Sequence, residues 1–206
     1  MALRTFVKIN GITNLSDARY CSGMYVNLLG FSLDKSSEKY VTPELFKEIT
    51  GWLSGVDFVG EFSHESQPEI LEILTDYPAI SWIEYDRIEE LKSLVGKGYS
   101  LIYKMSLEDV KHIEPEVAQE LSNSGIIFHV YAKDNLLSED DLEVVKKLAK
   151  DCKVILGTGV SAENVLHLID SCRLYGISLS GGEEIKPGLR DFDLMADVLE
   201  KLEVEE

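Results

Sequence analysis

The sequence predicts an α/β fold, a single (β/α)8 TIM barrel formed by one parallel eight-stranded barrel over residues 1–206, and three observations predict it. Short apolar runs alternate with longer amphipathic stretches from one end of the chain to the other. Eight such pairs can be counted, and strict alternation implies parallel strands, because parallel neighbours need a crossover between them. No Gly/Pro/Ser-rich linker, composition shift or low-complexity tract marks a second domain. Eight is the number that closes a barrel, and at 206 residues the chain is near the lower limit for one, so its loops must be short. A doubly wound open sheet is the alternative, since periodicity does not report closure.

The expected strands are 5–9, 27–31, 57–62, 80–85, 100–104, 126–130, 153–156 and 177–179. Between and after them lie helical patterns over 16–21, 43–53, 68–75, 88–95, 115–122, 139–149, 162–172 and 193–202. The helix from Pro43 shows the period, with Leu45, Phe46, Ile49, Trp52 and Leu53 on one face, which places Trp52 in the core. Thr42 is a natural cap before a proline in the first turn, and Ser138 caps the acidic start Glu139-Asp140-Asp141. Trp82, in strand four, either lines the pocket or fills the barrel.

Composition narrows the function. The formal net charge of −17 argues against a nucleic-acid backbone or an anionic membrane surface as partner. No apolar run approaches membrane-spanning length, and the first residues, Met1-Ala2-Leu3-Arg4-Thr5, lead straight into a strand with no signal-peptide pattern. Cys21, Cys152 and Cys172 form no CxxC motif and leave an odd count, which suits reduced thiols in a cytoplasm. Cys21 and Cys172 sit in helical patterns as small core residues. His64, His112, His129 and His167 show no i, i+4 ligand spacing, so neither a metal nor another cofactor is expected.

In barrels of this kind the chemistry sits at the carboxyl-terminal ends of the strands, and phosphate docks after strands seven and eight. Strand seven runs into Gly157-Thr158-Gly159, and strand eight into Ser180-Gly181-Gly182. Glycine lets successive backbone N–H groups converge on an anion, and a following helix N-terminus adds its positive end. Gly157, Thr158, Gly159, Ser180, Gly181 and Gly182 are therefore the expected phosphate-binding residues, and a phosphorylated small molecule the expected ligand. Plain tight turns are the alternative. Glu61, Glu84, Lys104 and His129 lie at or near the ends of strands three to six; a glutamate and a histidine across the mouth can form an acid–base pair. Each is equally readable as an ordinary polar strand-end residue.

Several of these stretches together resemble the phosphoribosylanthranilate isomerases of tryptophan biosynthesis. The family opens with Lys-Ile-Cys-Gly-Ile-Thr and an Asp-Ala pair, and here stand Lys8-Ile9-Asn10-Gly11-Ile12-Thr13 and Asp17-Ala18. Its Ser-Pro-Arg-Tyr-Val is matched by Ser37-Glu38-Lys39-Tyr40-Val41, and its Val-Gly-x-Phe by Val59-Gly60-Glu61-Phe62. Near the end, Ser-Ser-Gly-Val-Glu-x-x-Pro-Gly-x-Lys-Asp aligns without gaps to residues 180–191. The resemblance implies an Amadori rearrangement of an aminoaldose phosphate, with the strand-one cysteine as base and an aspartate ending strand six as acid. Both are absent. Asn10 holds the cysteine position, and its amide neither gains nor loses a proton near neutral pH. Strand six reads Ile126-Ile127-Phe128-His129-Val130-Tyr131, without an aspartate, and the family's Gln-Leu-His-Gly in strand four has become Trp82-Ile83-Glu84-Tyr85. The arginine that meets the anthranilate carboxylate becomes Lys39, which keeps the charge and loses the bidentate fork.

The resemblance implies a barrel that binds a phosphorylated sugar or sugar adduct, with the isomerase chemistry altered or lost. Lys8 and Asn10 would face the sugar, Lys39 a negative group at the far end, and Glu84 or His129 would move protons. A non-catalytic phosphosugar-binding or sensor protein is one alternative. A genuine phosphoribosylanthranilate isomerase with substitute residues is the other. Family members occur as monomers and homodimers.

Overall fold

Eight parallel strands close on themselves in a computed structural model of the chain. The description covers residues 2–181, 183–186 and 189–204, with backbone alone for 183–186 and 189–191. The barrel strands are β1 (Phe6–Asn10), β2 (Leu28–Ser32), β3 (Asp57–Glu61), β4 (Trp82–Tyr85), β5 (Ser100–Ser106), β6 (Ile127–Tyr131), β7 (Val154–Leu156) and β8 (Gly176–Ser180). Each pairs with its neighbour in sequence, and β8 returns to β1 over a five-residue ladder from Phe6↔Gly176 to Asn10↔Ser180. The open-sheet alternative is thereby excluded. All eight expected strands are present, shifted at their ends by no more than three residues.

The helices are α1 (Leu15–Gly23), α2 (Pro43–Thr50), α3 (Gln67–Leu74), α4 (Ile88–Ser93), α5 (Leu107–His112), α6 (Pro115–Asn123), α7 (Glu139–Ala149), α8 (Val165–Cys172) and α9 (Asp193–Leu202). Thr42 and Ser138 cap α2 and α7 as their positions suggest, accepting from the Leu45 and Asp141 amides at 3.3 and 3.2 Å. α5 is not among the expected helices. Ser106 starts it with a reciprocal capping box to Asp109, but six residues are too few for a periodic signal. Trp52 corrects another expectation: it is 73% exposed. α2 stops at Thr50, so the apolar stripe that would carry Trp52 into the core ends two residues short of it.

Outside the described barrel strands, the two chain ends are tied together. Ala2–Leu3 pairs antiparallel with Glu203–Val204, the Arg4 amide donates to the Leu202 carbonyl at 2.8 Å, and Arg4 grips Asp170 with two bonds of 2.9 and 3.0 Å. Glu183–Lys186 and Leu189–Asp191 form a hairpin ahead of α9.

Most of the core lies between the barrel and its helices, and it takes in Cys21, Cys152 and Cys172 as free, buried thiols. A separate apolar cluster fills the amino-terminal half of the barrel interior: Leu28, Val59, Ile102, Ile127 and Ile155, closed by Phe6, Trp82 and Tyr175. Trp82 is thus a barrel filler at the end away from the mouth, tilted against the Phe6 ring and bonded to Asp57. Two residues further along each strand, on the same face, the interior changes character. That next layer consists of Lys8, Gly30, Glu61, Glu84, Lys104, His129, Gly157 and Ser178. The site is built on this polar layer.

Candidate active site

Lys8 stands at the centre of the polar layer with no exposure to solvent. Its ammonium lies 2.7 Å from Glu61 Oε1 and 3.0 Å from Glu84 Oε2, and it also donates to Asn10 Oδ1. Burial alone would drive an ammonium to lose its proton. Here burial pulls the Lys8 pKa down, but the two carboxylates outweigh it and hold the group above its ordinary value. Glu84, 1% exposed, is the mirror image. Burial pushes its carboxyl up, and Lys8 and His129 overcome this to hold it well below the usual carboxylate range. The pair is therefore ionised on both sides.

Glu84 Oε2 also receives the His129 ring, at 2.9 Å from Nδ1. A carboxylate that is already ionised accepts, so Nδ1 carries a proton, and in the neutral ring Nε2 is the lone-pair nitrogen. His129 is 2% exposed, and its Nε2 has no hydrogen-bond partner among the described residues. Two glycines make this arrangement possible. A Cβ on Gly30 would lie 2.0 Å from Glu61 Oε1, and one on Gly157 would lie 2.5 Å from His129 Nε2. Those positions are kept empty for a carboxylate and an imidazole respectively.

Above this layer a cavity of about 550 Å³ opens at the carboxyl-terminal end of the barrel. Its walls bring together Asn10, His129, Gly157, Thr158, Ser180 and Gly181, all expected from the sequence. Lys8 and Glu84 lie under the floor and do not line it, so Lys8 supports the site instead of facing the ligand space. Three acceptors surround that ammonium and take its three N–H groups, which leaves it nothing to offer outside. Lys39 lies over Gly11, just after β1, its Nζ 3.2 Å from the point where a Cβ on Gly11 would sit, and it does not line the cavity. Gly182 lies outside the described residues. Tyr131, Asn135, Ser178 and the α9 side chains Leu194, Met195 and Val198 also line the cavity, and the sequence did not single them out. Ser178 was recoverable by alternation from Ser180, two residues on along the same strand.

The glycine turns behave differently from a simple amide cradle. The Gly157 amide donates to the Val130 carbonyl at 2.8 Å, Gly159 to Asn135 Oδ1 at 3.0 Å, and Gly181 to the Asn10 carbonyl at 3.2 Å. These three are spent within the chain. Gly157 is instead required by the imidazole beside it, and Gly159 by its φ of +64°. In the turn after β7, the side chain left for an anion is Thr158. Its hydroxyl is buried, 1% exposed as a residue, and has no partner. The Asn10 amide is likewise committed: it accepts from Lys8 and donates to Ser178 Oγ at 2.5 Å.

A closed eight-stranded parallel barrel with a cavity at its carboxyl-terminal mouth defines the class: a (β/α)8 barrel of the kind that carries its chemistry at that end. The sequence family described as N-(5'phosphoribosyl)anthranilate (PRA) isomerase matches residues 7–201, and the chain belongs to that family. The N-(5'-phosphoribosyl)anthranilate isomerase of Aquifex aeolicus is 28% identical over 205 residues, covering 97% of this chain and 98% of the relative. That of Trichormus variabilis is 24% identical, covering 95% and 97%. The crystal structure of phosphoribosyl anthranilate isomerase from Thermotoga maritima superimposes with a TM-score of 0.76 at 22% identity, over 96% of this chain and 98% of that one. Another such isomerase, solved with reduced 1-(o-carboxyphenylamino)-1-deoxyribulose 5-phosphate, gives a TM-score of 0.75 at 23% identity over the same shares. Among the described residues, no helix is long and apolar enough to cross a membrane.

Proposed function

We propose that the barrel mouth binds a phosphorylated sugar or sugar adduct and moves a proton on it through His129 Nε2, an altered form of the family's isomerase chemistry. The observation that carries this reading is the imidazole itself, a ring of the cavity wall with one nitrogen fixed by Glu84 and the other buried without a partner beside Gly157. Asn10, at the family's cysteine position, cannot serve as the base, because an amide has no proton to exchange at neutral pH and both its ends are engaged. The phosphate is assigned to the turn after β7, where the Thr158 hydroxyl awaits an acceptor. Lys39, over Gly11 after β1, is assigned a negative group at the other end of the ligand, because it stands at the family's arginine position and keeps the charge.

The test is a fluorescence assay on phosphoribosylanthranilate made from anthranilate, run beside calorimetric titration with ribose 5-phosphate. Binding with turnover that depends on His129 supports the reading. Binding without turnover of this or any related aminoaldose phosphate converts the protein to a phosphosugar sensor, a reading favoured by Asn10 alone. Turnover that survives loss of the imidazole contradicts the assignment.

The Thr158 assignment carries its own prediction. Thr158→Val removes a buried hydroxyl that has no partner in the free protein, so its stability should stay level or rise by about 1 kcal/mol. Affinity for ribose 5-phosphate should fall by about tenfold, the worth of one hydrogen bond to a charged group. Thermal unfolding with and without the ligand measures both. Equal ligand-induced shifts in the two proteins would place the phosphate elsewhere.

A further inference from the structure

Lys104 is the only lysine or arginine lining the cavity among the described residues. It lies on β5 directly beside His129, its partner in the β5–β6 ladder, and on the same inward face. Its Nζ rests 5.2 Å from the centre of the Tyr131 ring, another wall of the cavity. Lys8, beneath the cavity, is held by two carboxylates; Lys104 has no carboxylate within 4.0 Å among the described residues. An ammonium held by a π face, left unpaired in a half-enclosed cavity and set next to a base, is positioned to meet negative charge. Glu84 and Asp86 attract it only from longer range, so the ammonium has no ion-pair partner of its own and can take a ligand's negative atom.

Resting on the reading of His129 as the base, we infer that Lys104 is a catalytic residue that stabilises the anionic heteroatom formed as the proton leaves carbon. The step balances without another reactant. His129 Nε2 takes the proton, the C–H electron pair becomes the new C–C π bond, and the former C=O or C=N π pair moves onto the oxygen or nitrogen. That atom carries the negative charge and accepts a hydrogen bond from the Lys104 ammonium. Transfer of the adjacent hydroxyl's proton to that anionic atom, with return of the proton from His129 to the former carbonyl or imine carbon, turns the hydroxyl carbon into the new C=O and completes an aldose–ketose type isomerisation. This role differs from gripping the phosphate, which sits after β7 with β6 in between, two strand spacings or about 10 Å from β5.

Two probes separate the roles by calorimetry. 4-Phosphoerythronohydroxamate presents an ionisable enolate-like oxygen, whereas ribitol 5-phosphate presents only hydroxyl groups on a similar phosphorylated chain. The native protein should prefer the hydroxamate by about 10- to 100-fold, the range for a charge-assisted hydrogen bond. Lys104→Met should remove that preference and leave ribitol 5-phosphate affinity unchanged, which also shows that the variant is folded. Lys104→Arg should keep part of the preference. In turnover, Lys104→Met should lower kcat while KM stays within about threefold, the pattern of an interaction made only in the transition state. A preference that persists in Lys104→Met, or that is missing from the native protein, overturns the assignment of Lys104 alone. Failure of both probes to bind the native protein overturns the phosphosugar reading and this inference with it.

Discussion

Lys8→Met is expected to destabilise the protein by about 3–5 kcal/mol, the usual result of removing one partner from a buried ion pair. The substitution leaves Glu84, 1% exposed, and Glu61 facing one another inside the barrel with their shared cation gone. The surviving carboxylates must then take up protons or draw in water. Lys8→Met combined with Glu84→Gln should recover a large part of the loss, because the uncompensated charge is reduced along with the cation. Urea unfolding of the single and double variants measures the coupling. The difference between native and Lys8→Met should also have a defined pH dependence. Lys8 is held above its ordinary value, so its contribution is fully present below about pH 10 and lost as pH rises through the folded value. Glu84 is held below its ordinary value, so its contribution is fully present above about pH 5 and lost as pH falls through the folded value. Between those limits the difference should be flat.

His129→Ala should lower turnover of a phosphorylated aminoaldose by about 10²–10⁴-fold, the range for one general acid–base group. The change removes the imidazole but leaves Glu84 paired with Lys8 at 3.0 Å, so no buried charge loses its ion partner. Its effect on stability should therefore be smaller than that of Lys8→Met, which separates chemistry from folding. Asn10→Ala, in contrast, removes a bridge between Lys8 and Ser178 and no proton-transfer group. A larger loss of kcat in Asn10→Ala than in His129→Ala would return the chemistry to strand one.

The barrel itself was legible because each strand–helix unit carries its own local signal, and eight of them in series admit few closures. Glu84 and His129 were legible as polar residues in strands that are otherwise apolar. Their relationship was not: they are 45 positions apart, Lys8 and Glu61 are 53 apart, and only barrel closure brings β1, β3, β4 and β6 around one ammonium. For the same reason Lys8 reads as a ligand-facing cation in the sequence and becomes an internal one in the structure. Glycine was legible as a residue type but not in its purpose. Gly157 and Gly159 suggested amides converging on phosphate, whereas the packing shows one making room for an imidazole and the other adopting a left-handed φ. Trp52 misleads in a simpler way, since a helical period carries no mark of where the helix stops.

Long-range proton–nitrogen NMR of the histidine rings, at about pH 8 where an ordinary imidazole is neutral, addresses the proton-transfer assignment most directly. The account predicts that His129 carries its proton on Nδ1, with Nε2 bare and its resonance moved on adding ribose 5-phosphate. A proton on Nε2, or an Nε2 signal indifferent to that ligand, would contradict it.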